Sequence, residues 1–221
     1  SILHCINTFC DSYNPNFQTT TIKTLIPLLL EILKFEPYLR NQCEIISTLT
    51  SFIQFTQREE LKPYVQSLLE QMFNYFQKND IPTMKRKLVT ENILEIITTM
   101  EEDITPFAPV SFDLLFNYFC ESYKNKQNQI LYGCLIESII SIGEYTKEKF
   151  NKIIPDMVKC ISEIVTGFSS DKFEPIRADL TNSLDRLLPS LQENYKNLIP
   201  NLIQTVFTLV RLRPKMSISS I

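Results

Sequence analysis

The chain has 221 residues, 44% of them hydrophobic and 21% charged, with 3 glycines, no tryptophan and a formal net charge of −3. This apolar share excludes a disordered chain, scarce glycine argues against phosphate-cradling loops and turn-rich sheets, and mild acidity suits a basic partner better than nucleic acid. No apolar run reaches the roughly 18 residues that a membrane helix needs.

Taken in order, residues 2–12 predict the tail of a helix and Tyr13–Asn16 (YNPN) a turn. A helix follows over Thr19–Leu33, and Pro37 opens the next, which runs to Phe55 with Ile45, Ile46, Leu49, Phe52 and Ile53 apolar. Glu60–Gln77 is a third helix, Asn79 and Asp80 turn the chain, and Pro82 starts a fourth carrying Leu88, Ile93, Leu94, Ile97 and Met100. Glu101–Asp103 lead into Thr105–Ser122, and the polar Lys124–Asn128 connects to Gln129–Tyr145. Lys147–Val165 is helical, Thr166–Glu174 is the longest loop, and Pro175 opens a helix ending near Leu188–Ser190. The last helix spans Asn194–Leu212 and stops before Pro214; residues 215–221 read as a loop or the edge of a further repeat.

One segment recurs. KTLIPLLLEIL (Lys23–Leu33), KPYVQSLLEQMFNYF (Lys62–Phe76), TPFAPVSFDLLFNYF (Thr105–Phe119), NKIIPDMVKCISEIV (Asn151–Val165) and KNLIPNLIQTVFTLV (Lys196–Val210) align on Pro27, Gln66, Pro109, Pro155 and Pro200, in steps of 39 to 46 residues. That is the period of a HEAT or armadillo helical hairpin. One residue before the anchor stand Ile26, Val65, Ala108, Ile154 and Ile199; three after stand Leu30, Leu69, Phe112, Val158 and Ile203; six after stand Leu33, Met72, Leu115, Ile161 and Val206. These positions share one helical face. The prolines are expected in the first turn or so, where a missing N–H costs little.

The pattern predicts an all-α fold: a right-handed HEAT-repeat superhelix (an α-solenoid) of about five hairpins, covering residues 1–34, 37–78, 82–122, 127–165 and 173–212 as a single array. The chain opens on Ser1 and neither end carries a polar cap, so it reads as an internal fragment. Cys5, Cys10, Cys43, Cys120, Cys134 and Cys160 have no short paired spacing and read as free thiols in a reducing compartment.

Chemical sites are scarce. His4, Cys5 and Cys10 lack the four ligands of a structural zinc site. The carboxylates Glu59–Glu60 and Glu101–Glu102–Asp103 fall at helix junctions, as solvated or capping groups rather than shielded general acids. No catalytic residue, metal or cofactor is predicted. A basic residue recurs just inside the second-type helices (Arg40, Lys85, Arg177), as expected of contacts between repeats. The position four after each anchor is never apolar: Glu31, Glu70, Asp113, Lys159 and Gln204. These residues are the candidate partner-binding stripe, partly acidic and suited to basic peptides; plain solvation is the other reading of the same charges.

LIESIISIGEYTKEKF (Leu135–Phe150) followed by IIPDMVKCI, the stretch Ile176–Phe207, the segment RPKMSI (Arg213–Ile218) and NILEIITTMEEDITPFAPVSFDLLFNYF (Asn92–Phe119) together resemble the importin-beta superfamily of nuclear transport receptors, in its importin-beta-3 branch. The resemblance covers about Pro82–Ile218 in sequence and the first eighty residues by pattern. It implies the middle of a long HEAT superhelix that carries basic cargo with nuclear localisation signals between cytoplasm and nucleus. It further implies cargo release by Ran-GTP and contact with Phe-Gly nucleoporins at the pore, with no membrane or direct nucleic-acid partner. The repeat stripe would then face the cargo. A HEAT scaffold of a multi-protein complex, such as a phosphatase assembly, is the alternative.

Overall fold

The computed structural model describes residues 15–167 and 174–211, a few side chains within them excepted. The helices are α1 (Pro15–Phe35), α2 (Leu39–Phe55), α3 (Arg58–Leu61), α4 (Val65–Phe76), α5 (Thr83–Met100), α6 (Ala108–Lys124), α7 (Tyr132–Gly143), α8 (Glu148–Gly167), α9 (Glu174–Asn194) and α10 (Ile199–Arg211). Short 3₁₀ turns at Lys62–Tyr64, Glu101–Ile104, Gln129–Leu131 and Lys196–Leu198 precede α4, α6, α7 and α10. No strand occurs among the described residues. The chain forms two compact units, residues 1–117 and 118–221, with the boundary inside α6.

The apolar column builds the core of each unit. Ile26, Leu30 and Leu33 of α1, Val65, Leu69 and Met72 of α4, and Ala108, Phe112 and Leu115 of α6 are buried in the first unit. Ile154, Val158 and Ile161 of α8 are buried in the second. The copy on α10 differs: Ile203 is 50% and Val206 41% exposed, and Phe207 beside them is 61% exposed. Leu69 and Met72, at the same positions on α4, are buried, and no described helix follows α10.

The proline expectation also needs correction. Pro109 and Pro200 lie in the first turn of α6 and α10, but Pro27 and Pro155 lie inside α1 and α8. Where a 3₁₀ turn precedes the helix, the proline falls early; in α1 and α8 the α-helix has absorbed that lead-in. A proline within a helix leaves the carbonyl four residues back without its usual donor. Behind Pro155 that carbonyl belongs to Asn151, and the Tyr195 hydroxyl donates to it at 2.6 Å.

The basic position of the second-type helices links consecutive hairpins at Arg86. Arg40 makes only a loose pair with Glu44 at 3.8 Å. Arg86, adjacent to the predicted Lys85, is buried in α5. Its Nε donates to the Phe76 carbonyl at 3.0 Å and its Nη2 to the Lys78 carbonyl at 2.7 Å. The guanidinium thus closes the C-terminus of α4, whose last carbonyls have no helical donor. Arg177's side chain, His4, Cys5, Cys10, most of the Thr166–Glu174 loop and residues 213–218 lie outside the described residues. Among the described residues, Cys43, Cys120, Cys134 and Cys160 form no disulfide. No described helix is long and apolar enough to cross a membrane.

Two glycines set how closely helices approach in the second unit. A Cβ on Gly133 of α7 would stand 2.7 Å from the Cβ of Asp179 and 3.0 Å from the Ile176 carbonyl, both on α9. A Cβ on Gly143 would stand 2.5 Å from the Phe150 ring.

Candidate partner-binding site

All five residues of the stripe are exposed; on α1, α4, α6 and α8 the buried column occupies another side of the helix. In the first unit Glu31, Glu70 and Asp113 project from α1, α4 and α6. A groove of about 380 Å³ runs between α4 and α6. Glu70 lines it beside Gln66, whose amide donates to the Glu70 carboxylate at 2.9 Å. Its other walls are largely apolar: Leu69, Phe73, Phe107, Val110 and Leu114. Asp113 stands one residue before Leu114 on the same helix, while Glu31 on α1 is not part of the groove wall. The first unit therefore pairs one groove carboxylate with an apolar trough, which suits a cationic side chain with an apolar neighbour.

The second unit has a groove of about 430 Å³ at the corresponding place, between α8 and α10. Lys159 and Gln204 both line it. The Lys159 ammonium lies 4.0 Å from the Glu163 carboxylate. At Ser162, Asn201 and Thr205 this groove carries polar groups where the first carries Phe73, Val110 and Leu114. The same backbone place thus holds different chemistry in the two units.

The junction carboxylates are better partnered than the sequence suggested. Arg58 Nε bonds Asp103 at 2.7 Å and its Nη1 bonds Glu101 at 2.7 Å, while Lys62 Nζ reaches the other Asp103 oxygen at 2.8 Å. Hydrogen bonds from Lys62 and then Arg58 hold the Asp103 carboxyl below its ordinary pKa. A carboxylate held ionised in this way is a structural link between hairpins, not a general acid. Its partners lie 41 and 45 residues away in the chain, so no local motif announces them.

A second cluster joins α6 to α8. The Tyr123 hydroxyl donates to the Glu163 carboxylate and also contacts the Cys160 thiol. Burial, followed by the Glu163 charge, pushes the Cys160 thiol up to about 11. It is therefore a neutral thiol at physiological pH, unlike an activated nucleophile. Among the described residues no group of three or more histidines, cysteines or carboxylates could hold a metal ion.

No protein-family model matches the chain. It is 25% identical over 192 residues to importin subunit beta-3 of Saccharomyces cerevisiae, covering 86% of this chain and 17% of that protein. The crystal structure of Kap121p bound to RanGTP superposes with a TM-score of 0.74 at 22% identity, covering 93% of this chain and 19% of that one. Kap121p bound to Pho4p gives a TM-score of 0.73 at 21% identity over the same shares. The chain thus spans less than a fifth of the length of these relatives. It resembles the importin-beta superfamily in sequence, and its fold is that of the karyopherin HEAT-repeat solenoids.

Proposed function

We propose that this chain is part of a nuclear transport receptor and binds basic cargo polypeptides non-covalently. In this reading residues 1–221 form one HEAT array, and Glu31, Glu70 and Asp113 offer the negative charge that meets cargo. Ran-GTP releases the cargo, Phe-Gly nucleoporins carry the receptor through the pore, and the protein moves between cytoplasm and nucleus. The observation that carries the proposal is the α4–α6 groove, where the Glu70 carboxylate borders an apolar trough. The sequence likeness to importin subunit beta-3 supports it, as does the likeness in fold to Kap121p, crystallised with RanGTP and with Pho4p. We read the chain as a recognition module rather than an enzyme, since the junction carboxylates are exposed or ion-paired and the Cys160 thiol is neutral.

The test is binding of a fluorescent basic localisation peptide to the protein, with and without Ran-GTP, alongside the Glu70→Lys/Asp113→Lys variant. The expected result is binding that Ran-GTP abolishes and that charge reversal weakens by about tenfold or more. Unchanged affinity in the reversed variant would sink the acidic stripe, and binding indifferent to Ran-GTP would shift the reading to a HEAT scaffold.

A further inference from the structure

The turn that leads into the α4–α6 groove is held in a conformation that its own residues resist. Glu101 stands at φ 48° and ψ −127°, a backbone that a side chain disfavours. Thr105 stands at φ −48° and ψ −41° directly before Pro106, where the proline ring crowds a helical residue. Between these two positions Glu101, Glu102 and Asp103 set three carboxylates side by side, and like charges repel.

What holds the turn comes from the preceding hairpin. Arg58 reaches Glu101 and Asp103 at 2.7 Å each and Glu102 at 3.6 Å, and Lys62 reaches Asp103 at 2.8 Å. Lys62 lies one helical turn before Gln66, where one wall of the groove begins. Asp103 lies three residues before Pro106, where the other wall begins. The ion pairs therefore tie the two walls together at one end of the groove. Without the two cations, backbone strain and carboxylate repulsion both favour a different turn.

We propose that Arg58 and Lys62 are a spring-loaded latch that sets the width of the α4–α6 groove. Released, the turn relaxes and the start of α6, with Pro106, Phe107 and Val110, moves away from Leu69 and Phe73 on α4. The wider groove takes a larger apolar side chain from a partner polypeptide. Dissolved ions reach the latch, since the side chains of Glu101, Glu102 and Lys62 are 63%, 86% and 53% exposed. The second unit is built differently. There α8 is joined to the next hairpin by uncharged groups, Ser162 to Thr205 and Tyr195 to the Asn151 carbonyl. The residue that opens the turn before α10, Tyr195, has a negative φ of −137°. The latch deepens the cargo reading and rests on it for the groove's purpose.

The experiment is methyl relaxation dispersion by NMR on the whole chain, which reads exchange with a minor state on the μs–ms scale. The reporters are Leu69, Val110 and Leu114 in the first groove, with Val158 and Leu198 in the second as the internal control. Arg58→Gln and Lys62→Gln should each raise the open population at the first groove, by about fivefold for Arg58→Gln, and leave the control methyls unchanged. Adding Glu101→Gly to Arg58→Gln removes the strain that drives opening, so exchange should fall back toward the parent. Loss of a merely structural ion pair would show no such reversal. Raising salt from about 0.05 to 0.5 M should open the unaltered protein at the same three methyls, which decides the matter even if a variant fails to fold. Exchange that ignores both Arg58→Gln and salt, that rises equally in the second groove, or that persists in the double variant overturns the proposal. The readout needs neither cargo nor Ran-GTP. Failure of the acidic stripe in the Glu70 and Asp113 test therefore leaves this outcome standing, and the reverse holds too.

Discussion

The Tyr195 hydroxyl donates to the Asn151 carbonyl at 2.6 Å, across 44 residues of chain. That carbonyl sits four residues before Pro155, which has no N–H to give it. The proline opens an acceptor on one hairpin, and the next hairpin fills it. The pair predicts a coupling. Tyr195→Phe should cost about 0.5–1.5 kcal/mol. In a Pro155→Ala background the helix supplies its own donor, and the same substitution should cost clearly less. Urea unfolding of the four proteins measures the difference, and equal costs in both backgrounds would break the argument.

Gly143 is the contact surface for the Phe150 ring, with no room for a methyl group. Gly143→Ala should destabilise by about 1–3 kcal/mol through overpacking. Shrinking the ring in Gly143→Ala/Phe150→Leu should recover part of that loss. Thermal or chemical unfolding of both variants tests it; a double variant less stable than either single would contradict the steric account.

Glu101 has φ 48° and ψ −127°, a conformation that side chains resist and glycine accepts. Both Glu101→Ala and Glu101→Gly lose the bond to Arg58, so their difference isolates the backbone. Glycine should be the more stable of the two by about 1 kcal/mol despite its larger entropy when unfolded. An alanine variant as stable as the glycine variant would show that this turn stores no strain.

The Asp103 carboxyl titrates below its ordinary value because Lys62 and Arg58 donate to it. A folded pKa below the unfolded one gives stability that is present above about pH 4, the unfolded value, and is lost as pH falls through the folded value. Stability measured from neutral pH to pH 3 should therefore decline less steeply in Asp103→Asn than in the parent. Parallel curves would show that this carboxyl contributes nothing to the acid response.

Much of the architecture is legible in the sequence because it rests on periodicity. The column at Ile26, Val65, Ala108 and Ile154 is buried as its spacing demands, and the residues four after the anchors are exposed. What sequence reading misses depends on pairing between hairpins. Arg58 bonds Asp103, 45 residues on, and the carbonyl that Pro155 leaves open is filled by Tyr195 of the next hairpin. The stripe was read as one row, yet each groove is built from two helices. Glu70 enters the first groove and Glu31 does not, while Lys159 and Gln204 share the second.

The polar links between hairpins have a common reach. Arg58–Asp103, Tyr123–Glu163, Ser162–Thr205 and Asn151–Tyr195 each span between 40 and 45 residues. Every one closes a loop of similar, modest size, so no single link carries a large entropic penalty. Within each unit the chain can therefore assemble by successive short closures, without a long search for one distant partner. It can also loosen one hairpin while its neighbour stays packed. Deuterium uptake should then rise in graded blocks whose edges fall at these links, and cutting one link should speed exchange on its two hairpins first.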